Sequence, residues 1–200
     1  MRVSNCAWAF IVALTTSAHP GLTQPSCGIG VYRNGADFVV LTRQDEGLRY
    51  SFADGHVGDL SSADARVVCN SGAGLVDGHV WHPQDLRVGD TVFHAGDTFL
   101  NGRLIEPPGA DGNTPLVVYA HGSERWGWID SGSDPYQMAG RGISVFVYDK
   151  RGTGAAGGDY SQNIPLLASD LGFAAVEARR LAENQFGRFG LIGLSQGGWV

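Results

Sequence analysis

The strongest chemical signal in the sequence is Gly193-Leu194-Ser195-Gln196-Gly197, near the end of the 200-residue chain. In the pattern G-x-S-x-G, the glycines allow a sharp turn from a strand into a helix, and that turn exposes the serine hydroxyl. A serine hydroxyl becomes a good nucleophile when a base takes its proton, and the oxyanion that then forms needs fixed hydrogen-bond donors. Because the chain contains 30 glycines, the pattern has to be judged by the elements around it.

Three apolar runs predict the strands that would position this serine. The first run, PLVVYA, is followed by the loop HGSE, which starts at His121. The second, ISVFVY, is followed by the loop DKRGTG, which starts at Asp149, and the third, RFGLIGL, is followed by Ser195 itself. Runs of this kind are typical of strands that are buried on both faces of a parallel sheet. Because the carboxyl ends of parallel strands share one edge of the sheet, we expect the three loops to lie side by side.

A helix between the second and third of these strands is predicted by apolar residues at helical spacing. They recur within residues 166–187 at intervals of three and four, and Gly187 is placed to end the helix. Strands that alternate with helices predict an α/β fold with a parallel sheet covered on both faces. The predicted apolar face consists of Leu167, Leu171, Ala174, Ala178 and Leu181.

Together, VVYAHGSE, VYDKRGTG and GLSQGGW resemble the α/β-hydrolase fold, and within it the secreted bacterial hydrolases of the serine aminopeptidase, dienelactone hydrolase and prolyl oligopeptidase-like type. The resemblance covers about residues 90–200. It implies that Ser195 is the nucleophile and that the backbone N–H groups of Gln196 and Ser123 form the oxyanion hole. It implies no cofactor. The glycines that would shape the elbow and the oxyanion loop are Gly193, Gly197 and Gly122.

The triad of this fold follows the order serine, acid, histidine, so the acid and the histidine are expected after Ser195. The chain ends five residues beyond that serine. We therefore expect the front part of an α/β-hydrolase domain, truncated just after the elbow. His121 precedes the nucleophile and is expected to order its loop instead of acting as the base. The alternative, a genuine short product, could not carry out the usual triad mechanism.

A small antiparallel β-rich module is predicted ahead of the hydrolase part. Asp54-Gly55 is a hairpin signal between two β-rich stretches of this module, and beyond the module Gly96-Asp97 predicts a turn between two further strands. The predicted organisation is a signal peptide over residues 1–18, the β-rich module over 27–88 and the front part of the hydrolase domain over 89–200.

The first twenty residues, MRVSNCAWAFIVALTTSAHP, are typical of a secretory signal peptide, with Arg2 before nine apolar residues and small residues after them. We expect cleavage after Ala18, although the segment could extend to about residue 26. The alternative is a buried first strand or helix. Nine apolar residues are too few to span a bilayer, so we expect a secreted or periplasmic protein without a membrane anchor.

Removal of that segment leaves Cys27 and Cys69. In an oxidising compartment this pair is expected to form a disulfide. The alternative is a lipid-modified Cys27, but the aliphatic residue usual three positions before such a cysteine is missing.

The charge and the histidines exclude several classes of partner. The net charge is −6 and Lys150 is the only lysine, so there is no basic run for nucleic acid or an anionic membrane. His79 and His82 are spaced like metal ligands, but no cysteine or carboxylate completes a site, so no metal is expected. The expected partner is a small-molecule or peptide substrate, and the sequence does not indicate an oligomeric state.

The leading hypothesis is an exported serine hydrolase that cleaves an ester, thioester or amide bond through an acyl-enzyme at Ser195. The alternative is a non-catalytic secreted binding protein, in which the β-rich module recognises a polymer or a partner and the hydrolase frame is vestigial. An acid and a histidine in later loops would favour the enzyme.

Overall fold

The computed structural model describes residues 27–70 and 72–200, and the predicted signal peptide lies outside them. Its first part is an antiparallel sheet in the order β4-β3-β2-β1-β7-β6-β5. The turn at Asp54-Gly55 joins β3 to β4 as the hairpin signal predicts. The strands are β1 (Gly30–Asn34), β2 (Asp37–Gln44), β3 (Gly47–Phe52), β4 (Val57–Asp59), β5 (Val67–Asn70), β6 (Ala73–Val76) and β7 (His79–Pro83).

Cys27 and Cys69 form a disulfide that ties the start of this sheet to β5, with their Cα atoms 5.5 Å apart. Around it lies a small apolar core that includes Tyr32, Leu41 and Val67. The disulfide closes a loop with a sequence separation of 42 residues. Such a bridge stabilises a small module mainly by restricting its unfolded chain.

The second sheet carries the three predicted loops, and it is mixed instead of purely parallel. Its order is β12-β10-β11-β9-β8, in which β10 runs parallel to both β11 and β12. The antiparallel part is the β8–β9 hairpin, which turns at Gly96-Asp97 and pairs with β11. The strands are β8 (Arg87–Ala95), β9 (Thr98–Glu106), β10 (Leu116–Ala120), β11 (Ser144–Tyr148) and β12 (Phe189–Gly193).

Helix α2 (Ile164–Leu181) covers one face of the second sheet. Asn163 caps its start by accepting a hydrogen bond from the Leu166 N–H, and four of its five predicted apolar positions are buried. The helix ends at Leu181, so the prediction that Gly187 ends it is wrong. The chain leaves the helix through Glu183 and Asn184, which both have left-handed backbone angles.

The other face is covered by the first sheet and by the short helix α1 (Asp134–Ala139), neither of which the sequence analysis placed there. Val31, Phe38 and Val40 from the first sheet share a buried cluster with Tyr119 and Val147 of the second. Polar contacts also join the two parts. The Gln137 side chain donates to the Ser51 carbonyl at 2.8 Å, and the Arg43 N–H donates to the Asp130 carbonyl at 2.8 Å.

No helix within the described residues is long and apolar enough to cross a membrane.

Candidate active site

The three loops lie side by side at the carboxyl edge of β10, β11 and β12, as the sequence predicts. Strand register pairs Ala120 with Gly193 and Tyr119 with Val147, so the parallel strands end close to one another. The Leu194 N–H also donates to the Ala120 carbonyl at 3.0 Å, which fixes the start of the third loop against the end of β10.

Ser195 lies at the junction between β12 and a short 3₁₀ helix (Ser195–Trp199). Its φ is +51°, in the left-handed region that non-glycine residues rarely occupy, and the residue is exposed. Such a backbone angle costs about 1–3 kcal/mol and persists where the surrounding structure enforces it. A strained serine at a strand-to-helix turn is the geometry of a nucleophile elbow.

The glycines on either side of Ser195 are required by close backbone contacts. A Cβ atom at Gly193 would overlap the Gly197 carbonyl, and one at Gly197 would overlap the Ala120 carbonyl. The first contact lies within the turn, whereas the second presses the turn onto the neighbouring strand. Gly197 is buried by that contact.

His121 is fully buried behind the first loop, and its two ring nitrogens are both engaged. The Lys150 backbone N–H donates to Nε2 at 3.2 Å, so the ring proton is on Nδ1, which lies 3.2 Å from a Glu124 carboxylate oxygen. The ring stacks on Trp128 with its centroid 5.8 Å away. This neutral, enclosed imidazole holds the loop together and has no free nitrogen with which to accept a proton from Ser195.

Burial lowers the pKa of His121 to about 4, because desolvation outweighs the favourable contact with Glu124. The nearby Lys150 ammonium also disfavours a second cation. The electrostatics therefore agree with the hydrogen bonds that His121 is neutral at physiological pH.

The loop after His121 is held in place by hydrogen bonds to two of its backbone carbonyls. The Gly122 carbonyl accepts a hydrogen bond from the Lys150 ammonium, and the Ser123 carbonyl accepts one from the Tyr160 hydroxyl at 2.9 Å. Because a trans peptide points its C=O and N–H in opposite directions, the Ser123 N–H points away from Lys150. It has no hydrogen-bond acceptor within residues 27–70 and 72–200.

Lys150 reaches the elbow as well. Its ammonium donates to the side-chain oxygen of Gln196 at 2.5 Å, in addition to the Gly122 carbonyl. Lys150 is only 2% exposed, and burial lowers the pKa of its amino group. For Asp149, Lys150 and Arg151 the sequence favours a structural ion pair that holds the turn; Arg151 forms such a pair, whereas Lys150 has none within the described residues. The available signal was its position, since the only lysine of the chain lies two residues beyond a fully buried strand.

The charged neighbours of Lys150 hold other elements. Asp149 accepts hydrogen bonds from the backbone N–H groups of Trp128 and Ile129 at 2.7 and 3.3 Å, and desolvation raises the pKa of its carboxyl group despite these bonds. Arg151 makes a bidentate pair with Asp170 of α2, with both distances 2.7 Å. Asp149 thus shapes the loop after β10, and Arg151 anchors the loop after β11 to the helix.

A cleft of about 980 Å³ opens beside the loops after β10 and β11, between the first sheet and the β8–β9 hairpin, and no residue of the Ser195 loop lines it. Trp126, which is 60% exposed, lines it together with Asp149 and Gly154. The indole of Trp128 also borders the cleft but packs against His121.

The histidines of the first sheet do not form a metal site. His79 and His82 lie three residues apart in β7, so their side chains project from opposite faces of the strand. Among the residues that the structure describes, no three His, Cys, Asp or Glu side chains come together as possible metal ligands.

Several solved hydrolase structures resemble the chain. An acylaminoacyl peptidase of Pyrococcus horikoshii is 18% identical with a TM-score of 0.50, and the match covers 84% of this chain and 28% of that one. The two proteins share a fold. This likeness supports the α/β-hydrolase fold expected from the sequence.

Two further matches have lower TM-scores. An esterase of Pyrococcus furiosus is 24% identical with a TM-score of 0.48, covering 57% of this chain and 44% of that one. A serine hydrolase without a lid from Xanthomonas campestris is 19% identical with a TM-score of 0.46, covering 57% and 53%. The chain therefore spans about half or less of each of these three structures. No protein-family model and no curated protein matches the sequence.

Proposed function

We propose that the protein is an exported serine hydrolase that cleaves an ester, thioester or amide bond through an acyl-enzyme at Ser195. The observation that carries this proposal is the left-handed backbone of Ser195 at the end of β12, held by two glycines that have no room for a side chain. The left-handed backbone of Ser195 lowers the stability of the fold, and its exposed hydroxyl makes no hydrogen bond within the described residues that would offset this cost. A role of that hydroxyl as a nucleophile gives the strained turn a purpose.

The reaction would start with attack of the Ser195 hydroxyl oxygen on the substrate carbonyl carbon, while a base takes the hydroxyl proton. The negative charge on the former carbonyl oxygen would be bound by the backbone N–H groups of Gln196 and Ser123. Collapse of this intermediate expels the leaving group, which receives the proton, and water then releases the acyl group by the same steps.

The base is not among the contacts of Ser195 within the described residues, since none of them hydrogen-bonds to its hydroxyl. His121 is excluded because both of its ring nitrogens are occupied. We therefore propose that the acid and the histidine of the triad come from outside residues 27–200. The substrate would be a small molecule or a peptide. The cleft lined by Trp126 borders the loops after β10 and β11, but neither Ser195 nor Gln196 lines it, so it does not define where the substrate binds.

Export is proposed from the signal-like first residues and is supported by the Cys27–Cys69 pair. Disulfides persist in oxidising compartments such as the periplasm and the extracellular space.

Labelling of the complete protein with a fluorophosphonate probe tests the proposal. We expect one covalent adduct, mapped to Ser195, and its loss together with all turnover in Ser195→Ala. Ser62→Ala, at an exposed position of the first part, is the control and should label as the parent does. A folded parent protein that takes up no label, or a Ser195→Ala variant that retains turnover, would refute the proposed chemistry.

A further inference from the structure

Lys150 is a buried cation whose two hydrogen-bond acceptors in the described structure are both neutral. Its ammonium contacts the Gly122 carbonyl and the Gln196 side-chain oxygen, and it forms no ion pair within the described residues. The Glu124 carboxylate favours the charged form only without direct contact, and burial outweighs it. The neighbouring Arg151, by contrast, is neutralised by Asp170. A cation buried without a direct counter-ion lowers stability, so its presence calls for a gain elsewhere.

The two acceptors belong to the two loops that would form the oxyanion hole. Gly122 contributes the C=O of the peptide whose N–H belongs to Ser123, and Gln196 directly follows the nucleophile. We propose that Lys150 is a positioning residue that fixes both sides of the oxyanion hole, through Gly122 on the loop after β10 and through Gln196 on the elbow. This inference rests on the function proposed above.

Two physical effects follow from this contact. First, the hydrogen bond to the Gly122 carbonyl fixes the plane of the 122–123 peptide, and therefore the direction of the Ser123 N–H. Second, a cation on the carbonyl side polarises that peptide and makes its N–H a stronger donor. The bond to Gln196 couples the elbow to the same ammonium, so the two donors keep a fixed separation.

The backbone of Lys150 serves the same arrangement. Its N–H donates to Nε2 of His121, so the end of β11 supports the first loop at two successive points. Thr153 in turn donates its hydroxyl to the Lys150 carbonyl at 2.7 Å and is itself buried. The backbone of Lys150 is thus fixed by hydrogen bonds at its N–H and at its carbonyl, and a residue that positions other groups must itself be held in place.

Lys150→Met in the complete protein removes the ammonium and keeps most of the side-chain volume. Loss of a whole oxyanion donor lowers kcat by roughly 10²–10³-fold. Because Lys150 acts through such donors, we expect a decrease of about 10- to 100-fold in kcat/KM for p-nitrophenyl butyrate and in the rate of fluorophosphonate labelling. KM should stay within about twofold, because the proposed contact acts on the transition state and not on substrate binding.

Inhibition by phenylboronic acid separates positioning from a general structural role. The boronate adds to the serine as a tetrahedral anion, so its affinity should fall in parallel with kcat/KM in Lys150→Met. Arg151→Met is the matched control, because it removes the adjacent buried cation without touching Gly122 or Gln196. It should lower the thermal midpoint but leave kcat and the boronate affinity of the folded protein unchanged.

If Lys150→Met does not fold, Gln196→Met tests the elbow half alone, because it keeps the backbone N–H and removes the acceptor. We then expect kcat/KM and boronate affinity to fall together by about three- to tenfold. Unchanged kcat and boronate affinity in the folded variant would overturn the inference while the proposed function stands. A parent protein that the probe does not label would reject the proposed function, and this inference with it.

Discussion

His121 is predicted to remain neutral down to about pH 4, and this can be measured directly. Its ring is buried, Nε2 accepts the Lys150 N–H, and the Lys150 side chain places an ammonium nearby. Protonation of Nε2 would break the first contact and set two cations side by side. A histidine in the unfolded chain, in contrast, has a pKa near 6.5.

The sign of the effect on stability follows from these two pKa values. Above about pH 6.5 the ring is neutral in both states, so the full stability is present. As the pH falls below that value, the unfolded chain takes up the proton and the folded protein does not, so the free energy of unfolding decreases. With a folded pKa of about 4, the loss from this residue is about 2 kcal/mol at pH 5 and about 3 kcal/mol at pH 4.

The assay is a set of urea unfolding curves between pH 7.5 and pH 5, a range in which most carboxylates stay ionised. His121→Gln provides a donor and an acceptor without a titrating group, and its free energy of unfolding should lack the 2 kcal/mol decrease. His82→Gln, at an exposed position, should keep the decrease. Long-range ¹H–¹⁵N spectra of the imidazole rings report the tautomer and the pKa independently.

Equal pH dependence in the parent protein and in His121→Gln, or a His121 ring that titrates above pH 6, would refute this reasoning. The result also bears on catalysis. If His121 is neutral throughout, any rise of activity with a midpoint near pH 6–7 has to come from another titrating group, since the catalytic base of an acyl transfer titrates close to the working pH.

Two further predictions concern single contacts of the structure. Gly197→Ala should destabilise the protein by about 1–3 kcal/mol and abolish fluorophosphonate labelling, because the added methyl group would overlap the Ala120 carbonyl. Gly198→Ala is the control, because the atom nearest to its added methyl group lies at 3.6 Å. Equal labelling of the two variants would contradict the steric argument. Replacing Cys27 and Cys69 together by alanine should lower the free energy of unfolding by about 4 kcal/mol, because the disulfide closes a loop with a sequence separation of 42 residues. Mass analysis without reductant that finds both thiols free in the parent protein would contradict the disulfide.

The sequence was sufficient for those elements whose signal is local. The three apolar runs form β10, β11 and β12, and their loops meet at one edge because the strands are parallel. The apolar face of α2 is also read from local spacing. The end of that helix was misplaced because Gly187 serves another purpose: it packs against the Asn113 backbone, where a side chain would not fit.

The arrangement of the two sheets could not be read in the same way. In β2 the apolar run FVVL, residues 38–41, is buried without alternation, which indicates a strand covered on both faces. Nothing in that run identifies the second sheet as the element that covers one of those faces. Such packing depends on residues far apart in the sequence, such as Gln137, which contacts the Ser51 carbonyl 86 positions away.

Residue type was misleading for Lys150, because lysine is among the residues least often buried. For His121 the order of the motifs along the chain already favoured a role in ordering the loop. In this fold Lys150 and His121 are buried, and both hold other groups in place. Their contacts join loops that leave three different strands, so no local pattern encodes them. The candidate nucleophile can be found from five residues of sequence, whereas the contacts of Lys150 with the two proposed oxyanion loops become visible only when the three loops are brought together.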